Sequence, residues 1–188
     1  PRIIFNDEGI CSGCLNSDYK NFEVDWERRE KELIQLLDQH RSKDGSWDVI
    51  VPSSGGKDSG YVAHQLRYEY GMNPLTVTWA PHMYTDVGWR NYIQWVDSGY
   101  DNYFNKPDGS IHRKLTRLSF KNLLHPFQPF AQGQVYFPLR LALEKKIKLV
   151  VYGDSQAERG SGGNLHSFNN KFLSPALYTY KEDKDLYY

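Results

Sequence analysis

The chain has 188 residues, with 23 Lys and Arg against 23 Asp and Glu. That length suits one α/β domain with a real core, burying roughly 70% of its unfolded surface. The zero net charge and the lack of a basic tail or stripe argue against a nucleic-acid partner, and no run of about 18 apolar residues exists to cross a membrane.

The 14 Tyr, 9 Phe and 5 Trp residues suit a sugar or nucleotide site, although core packing is the ordinary use of most of them. The chain begins at Pro1 with a strand-like run, and no signal peptide is visible, so the N-terminus reads as a cut and the cytoplasm as the compartment. Residues 2 to 14 predict a hairpin, Ile3-Ile4-Phe5 and Ile10 to Cys14 around Asn6-Asp7-Glu8-Gly9. Asp25 is a candidate N-cap for a helix over Trp26 to Arg41, with Trp26, Leu33 and Leu37 on one face and Glu27 paired with Lys31. After a turn at Asp44-Gly45-Ser46, the apolar run Trp47 to Pro52 predicts a first strand.

That strand breaks into Ser54-Gly55-Gly56-Lys57-Asp58-Ser59, and a helical pattern follows (Val62, Leu66, Tyr70). A strand, a glycine turn and a helix start together aim backbone N–H groups and the positive end of a helix dipole at one point, which binds phosphate. Glycines let the backbone turn and approach an anion. Ser54 and Ser59 add hydroxyls, and Lys57 adds a point charge. Asp58 would repel phosphate unless it holds Mg²⁺ or caps a loop N–H. The segment is not a Walker A loop, because Val51 stands where the first glycine is required and Asp58 follows the lysine. Read blandly, it is a Ser/Gly turn that binds nothing.

Gly71 ends the helix, and Leu75 to Trp79 form a second strand. A helix over Val87 to Val96, a short strand at Asp101 to Phe104 and a helix from Arg113 to Leu124 come next. His125 to Gly133 read as a loop rich in aromatics, Pro and Gln. A further helix carries Leu139, Leu141, Ala142 and Leu143, with Pro138 in its first turn or kinking it. Lys148 to Tyr152 form the last strand, closing on Gly153-Asp154. Alternating strands and helices imply an α/β fold with a parallel sheet. Ligands of such sheets bind outside the carboxyl ends of the strands, near the switch in strand order. Ser54 to Ser59, Thr78-Trp79-Ala80 and Gly153-Asp154 should converge there. Trp79 then lies beside adenine, or simply packs. Asp154 and Glu158, four residues apart, share a helix face and serve to hold Mg²⁺ or position ammonia, or are only acids favoured by a helix N-terminus.

Arg113 and Arg117 lie one helical turn apart and either clamp a carboxylate or phosphate or form a solvated face. His125 and Gln128 either face a substrate or plug the core. Cys11-x-x-Cys14 looks like half of a tetrahedral zinc site, a redox pair, or two idle thiols. These are the only two cysteines, and no histidine has knuckle spacing.

Ser54 to Ser59 resemble the S-G-G-x-D-S loop of the PP-loop ATP pyrophosphatases, which grip the β/γ-pyrophosphate of ATP and expose its α-phosphorus. More narrowly, the chain resembles the N-acetyl sugar amidotransferases of bacterial surface-polysaccharide synthesis (lipopolysaccharide O-antigen and pseudaminic-acid type). That resemblance is carried by Ile4-Phe5 through Gly9 to Cys14, Asp25 to Glu30, Asp44-Gly45-Ser46, the phosphate loop, His112 to Arg117, His125-Pro126-Phe127-Gln128-Pro129-Phe130 and Gly153 to Gly160. It implies an adenine-nucleotide-alpha-hydrolase-like fold, with residues 1–24 as the Cys-containing hairpin, 25–160 as the ATP-binding domain and 161–188 as the start of a truncated C-terminal part. It also implies ATP, Mg²⁺ and a zinc ion completed by a second, upstream Cys pair.

Lys57, Asp58, Asp154 and Glu158 would then be catalytic. Ser54, Gly55, Gly56, Lys57, Asp58, Ser59, Trp79 and Gly153 would bind ATP, and Arg113, Arg117, His125 and Gln128 the sugar. The implied reaction turns N-acetyl into acetamidino through an adenylylated intermediate, with ammonia from a separate glutamine amidotransferase subunit. The family is longer than this chain. Other adenylating PP-loop enzymes, such as tRNA thiolases and amide synthetases, and a nucleotide-binding module without turnover are the rival readings. A thiolase generally needs a cysteine near ATP, and none follows Cys14.

Overall fold

The computed structural model describes residues 3–154. They fall into two units, one reaching Gln39 and the other starting at His40.

In the first unit, Phe5 and Cys11 make one antiparallel bridge. The turn between them is tied by Asn6, whose Oδ1 accepts from the amides of Glu8 and Ile10 at 3.1 and 2.8 Å. The predicted hairpin stops at that bridge. Cys11 caps helix α1 (Ser12–Asp18) instead of continuing a strand, and its carbonyl accepts from Leu15 N. Ser12-Gly13 offers no branched side chain to favour extension, whereas a side-chain acceptor at Cys11 satisfies a helix N-terminus. A π-helical turn, Tyr19–Glu23, leads to α2 (Trp26–Asp38). Asp25 is its N-cap as expected, accepting from Arg28 N at 2.9 Å. The expected Glu27–Lys31 pair does not close among the described residues. Glu32 takes up Arg28 and Arg29 instead.

The second unit is built on parallel strands β1 (Val49–Pro52), β2 (Pro74–Trp79) and β3 (Asn102–Asn105), in that spatial order. Of the predicted last strand, only the centre pairs. Ile50 N donates to Leu149 O and Val151 N to Ile50 O, both at 2.9 Å. This pairing lies on the edge of β1 away from β2. The chain therefore steps outward from β1 to β3 and then returns to the far side of β1. That return makes the carboxyl end of β1 the switch point where open α/β sheets bind ligands.

Helices α3 (Lys57–His64, continued by a π-helical turn to Glu69), α4 (Asp86–Asp97), α5 (Gly109–Leu123) and α6 (Gln128–Lys145) complete the unit. One face of the sheet presents Ile50, Leu75 and Val77 to Leu141, Ala142 and Ile147, with Phe137 and Tyr103 packed alongside. The other face carries Thr76, Thr78 and Asn102, and Tyr92 of α4 reaches it to donate to Asn102 Oδ1 at 3.0 Å. The predicted loop over His125 to Gly133 is a correction: Gln128 already opens α6. Pro129, in the first turn, costs nothing there, because its missing N–H would have no helical partner. Pro138 lies not in the first turn but deep inside the helix, and it is buried. Packing of this helix on the sheet outweighs the one backbone bond that Pro138 removes.

Candidate functional site at the carboxyl edge of the sheet

The turn leaving β1 is held from below. Ser53 N donates to Val77 O at 2.8 Å, and Thr78 Oγ1 donates to Ser53 O at 2.7 Å. Thr78 Oγ1 in turn accepts from Asn102 Nδ2 at 3.0 Å, and Asn102 also donates to Thr76 Oγ1 at 2.9 Å. A polar network thus runs from Tyr92 on α4 through β3 and β2 to the base of the loop. Buried polar groups satisfied in this way fix one backbone arrangement. The sequence places Thr78 at a strand end facing the ligand edge, but Asn102 looks like an ordinary strand residue until the register sets the two side by side.

Gly55 adopts φ +81°, and a Cβ there would sit 3.0 Å from Tyr92 Cα and 3.1 Å from Asn91 O. Glycine is therefore required twice over, for its left-handed backbone and for the close approach of α4. Gly56 caps α3 without a side-chain hydrogen bond. The first amide bonded into the helix is Gly60 N, to Gly56 O at 3.1 Å. Among the described residues, nothing accepts from the amides of Lys57, Asp58 or Ser59. A helix start with open N–H groups attracts anions. The side chain of Lys57 is 90% exposed and pairs with Asp58 beside it. Ser59 Oγ lies 3.1 Å from Ser53 Oγ and donates to Gly56 O at 3.2 Å. Its role in the turn is shared with Ser53 rather than with the exposed Ser54.

Gly153 meets this loop directly. A Cβ on it would fall 2.7 Å from Ser59 N and 2.8 Å from the carbonyl carbon of Asp58. The strand end and the helix start thus touch, and Asp154 follows at once. Glu158 lies outside the described residues. A cleft of about 540 Å³ opens beside Gly55, Gly56 and Lys57, walled by Gly60, His64 and Tyr68 of α3 and by Asn91, Gln94 and Trp95 of α4.

Trp79, at the end of β2, turns its indole onto Gly133 of α6, where a Cβ would come within 2.0 Å of the ring. Phe137 lies 5.7 Å away centroid to centroid, and the indole Nε1 is buried with no acceptor among the described residues. Gly133 is a seat for this ring, a role its place in a Gln-rich stretch does not reveal.

Arg113 and Arg117 line a second pocket of about 440 Å³ with His82, Thr116, Phe120 and Pro126. His125 is exposed, and its carbonyl accepts from Ser119 Oγ at 2.5 Å and from Gln128 N at 3.2 Å. That bond to Gln128 N belongs to the turn that starts α6. His112 is buried beneath His82, with ring centroids 4.4 Å apart. Burial first, and then the charge of His82, holds the His112 imidazole below its ordinary range.

In the first unit, the two thiols are 3.3 Å apart and are not joined in a disulfide. The Cys14 amide, donating to Cys11 Sγ at 3.3 Å, pulls the Cys11 thiol down. Sharing a hydrogen bond with Cys11 pushes Cys14 up. Among the described residues no third His, Cys, Asp or Glu joins them to make a metal site.

No family model matches the chain. An uncharacterised protein of Methanocaldococcus jannaschii, MJ1599, is 32% identical over 78 residues, 40% of this chain and 27% of that protein. The chain thus spans about a quarter of that relative's length. Among solved structures, the NMN synthetase of Francisella tularensis superposes with a TM-score of 0.52 at 15% identity, over 72% of this chain and 57% of that one. The NH3-dependent NAD synthetase of Campylobacter jejuni, solved with a nitrate ion, gives 0.54 at 14% identity, over 85% and 76%. The chain shares with these synthetases its α/β fold, in which helices flank a parallel sheet.

Proposed function

We propose that this chain is the adenylating part of an ATP-dependent amidotransferase that converts an N-acetyl group of a bacterial surface-polysaccharide sugar into acetamidino. The observation that carries the reading is the helix start after Gly55, whose amides at Lys57, Asp58 and Ser59 have no acceptor among the described residues. Those amides and the side chains of Lys57 and Ser59 grip the pyrophosphate end of ATP, leaving the α-phosphorus open. An acetamido oxygen attacks that phosphorus and pyrophosphate leaves. Ammonia then adds to the activated carbon, and AMP departs with the oxygen. An amide oxygen does not leave unaided, which is why the reaction needs ATP. Lys57 neutralises charge as pyrophosphate departs, an effect typically worth about 10²–10³ in rate.

Asp58, with Asp154 in the segment that touches its backbone, would hold Mg²⁺, which supplies charge neutralisation on the phosphates. Glu158 belongs to the same proposed acidic set, and Trp79 and Gly153 to the nucleotide site. Arg113, Arg117, His125 and Gln128 form the sugar side. Cys11 and Cys14 supply two of the four ligands that a structural zinc requires. Ammonia comes from a glutaminase subunit, and the compartment is the cytoplasm. No helix among the described residues is long and apolar enough to cross a membrane.

The likeness to an NH3-dependent NAD synthetase favours a second reading, adenylation and amidation of a carboxylate. Mass spectrometry of candidate acetamido sugars and sugar acids after incubation with ATP, Mg²⁺ and ammonium separates the two. Replacement of an acetamido oxygen by NH supports the first, and replacement of a carboxylate oxygen the second. Undiminished AMP release by Lys57→Ala overturns both.

A further inference from the structure

The outer face of α5 gathers charges that the sequence disperses. From Gly109 to Leu143 the chain contains no Asp or Glu, yet it carries Arg113, Lys114, Arg117 and Lys121. Spaced along a helix, these four make no run in the sequence. At about 100° per residue, Arg113, Arg117 and Phe120 fall within about 60° of arc, with Lys114 and Lys121 along one flank. All five are exposed, and none of the four cations forms an ion pair among the described residues.

Large apolar side chains lie among these charges. Phe120 is 55% exposed, and Leu124 and Phe127, just beyond the helix, are 80% and 61% exposed. His82 joins α5 through Nε2, 3.0 Å from Thr116 Oγ1, and packs on Phe127 at 5.9 Å between centroids. Its neighbour Met83, 84% exposed, is thereby carried to the same rim. The pocket of about 440 Å³ bordered by Phe120, Pro126 and His82 is walled almost wholly by carbon. Arg113 and Arg117 therefore give it their aliphatic stems and send their guanidinium groups outward. Side chains divided in this way suit a lipid–water boundary, where the stem is covered and the charge stays wet.

We propose that this face docks on an anionic lipid surface. Phe120, Leu124, Phe127 and Met83 enter the interface, and Arg113, Lys114, Arg117 and Lys121 lie at the headgroup phosphates. Shallow apolar insertion and attraction to anionic headgroups are the two terms that bind such helices. The apolar residues set lipid apart from a polynucleotide. Bases stack on aromatic faces, whereas Leu124, Met83 and a carbon-walled pocket offer them neither a ring nor a hydrogen-bond donor. Long, exposed and unpaired cations also suit headgroups that move freely, which need no fixed carboxylate opposite each charge. The inference uses no residue of the phosphate loop, and so stands apart from the reaction proposed above.

The test is co-sedimentation of the full chain with vesicles of phosphatidylcholine alone and with vesicles containing about one quarter phosphatidylglycerol. The anionic vesicles should bind about tenfold or more tightly, and added salt should weaken that binding. Lys114→Gln with Lys121→Gln should weaken it by about 20–30-fold, at about fivefold for each cation. Phe120→Ser with Leu124→Ser should weaken it by about tenfold or more. These four side chains are exposed, so circular dichroism should show folded variants; the lysine pair decides the question should the apolar pair unfold. Lys57→Ala should bind vesicles as the wild type does. Absence of vesicle binding, equal binding to both compositions, wild-type binding by the lysine pair, loss of binding in Lys57→Ala, or tighter binding to a single-stranded RNA oligonucleotide than to the anionic vesicles overturns the assignment. Vesicle binding and AMP release are read separately, so the failure of one reading is visible without the other.

Discussion

Gly153→Ala perturbs the contact that ties the last strand to the phosphate loop. The added methyl would lie 2.7 Å from Ser59 N and 2.8 Å from both Asp58 C and Ser59 Cα, where ordinary contact begins at 3.4 Å. All three atoms are backbone, so no side chain can swing aside, and the strand end and helix start must part by roughly 0.7 Å. Overpacking of this kind costs about 1–3 kcal/mol. At about 2–4 °C per kcal/mol for a chain of this size, the melting temperature should fall by about 2–12 °C. The displaced atoms include the amides assigned to ATP, and misplacement on the ångström scale costs about 10²-fold in rate. Differential scanning fluorimetry and a pyrophosphate-release assay read the two effects. A variant with wild-type melting and wild-type release would show that Gly153 does not abut the loop as described.

Asn102→Leu removes the acceptor of Tyr92 and the donor to Thr76 and Thr78. Chemical denaturation should show a loss of about 1–3 kcal/mol, largely the cost of an unpaired Tyr92 hydroxyl; an unchanged midpoint contradicts the network. The thiols should differ in reactivity. Iodoacetamide should label Cys11 at lower pH than Cys14, because the Cys14 amide stabilises the Cys11 thiolate. Cys14→Ser keeps that amide and should keep the early-reacting thiol, whereas Cys11→Ser should leave Cys14 titrating like an ordinary cysteine. Labelling at equal rates refutes this ordering. His112, held low by burial, should make stability depend on acid. As pH falls below about 6.5, the unfolded chain takes up a proton that the folded one resists, so stability drops until the folded-state value is reached. Unfolding midpoints measured from pH 7 downward should show this slope, and His112→Phe should flatten it.

The phosphate loop was legible because its chemistry is local. Two glycines, a lysine and flanking hydroxyls between an apolar run and a helical pattern suffice to name a strand, a turn and a helix start, whatever surrounds them. The Asp25 cap, the turn at Gly45 and the cores of β1 and β2 are legible for the same reason, since each depends on residues within a few positions. The extent of α6 is not local. Proline and aromatic residues from His125 to Gly133 read as a loop, and only the sheet surface beneath Phe137, Leu141 and Ala142 makes a helix running through Pro138 the better solution. Strand order, too, waits on packing: the return of residues 149–151 to the free edge of β1 creates the switch point and presses Gly153 onto Ser59. The same register aligns Asn102 with Thr76 and Thr78, and the docking of α5 and α6 brings His82, Arg113 and Arg117 around one pocket. Side chains far apart in the chain acquire these roles only when hydrogen-bond pairing and burial fix who their neighbours are.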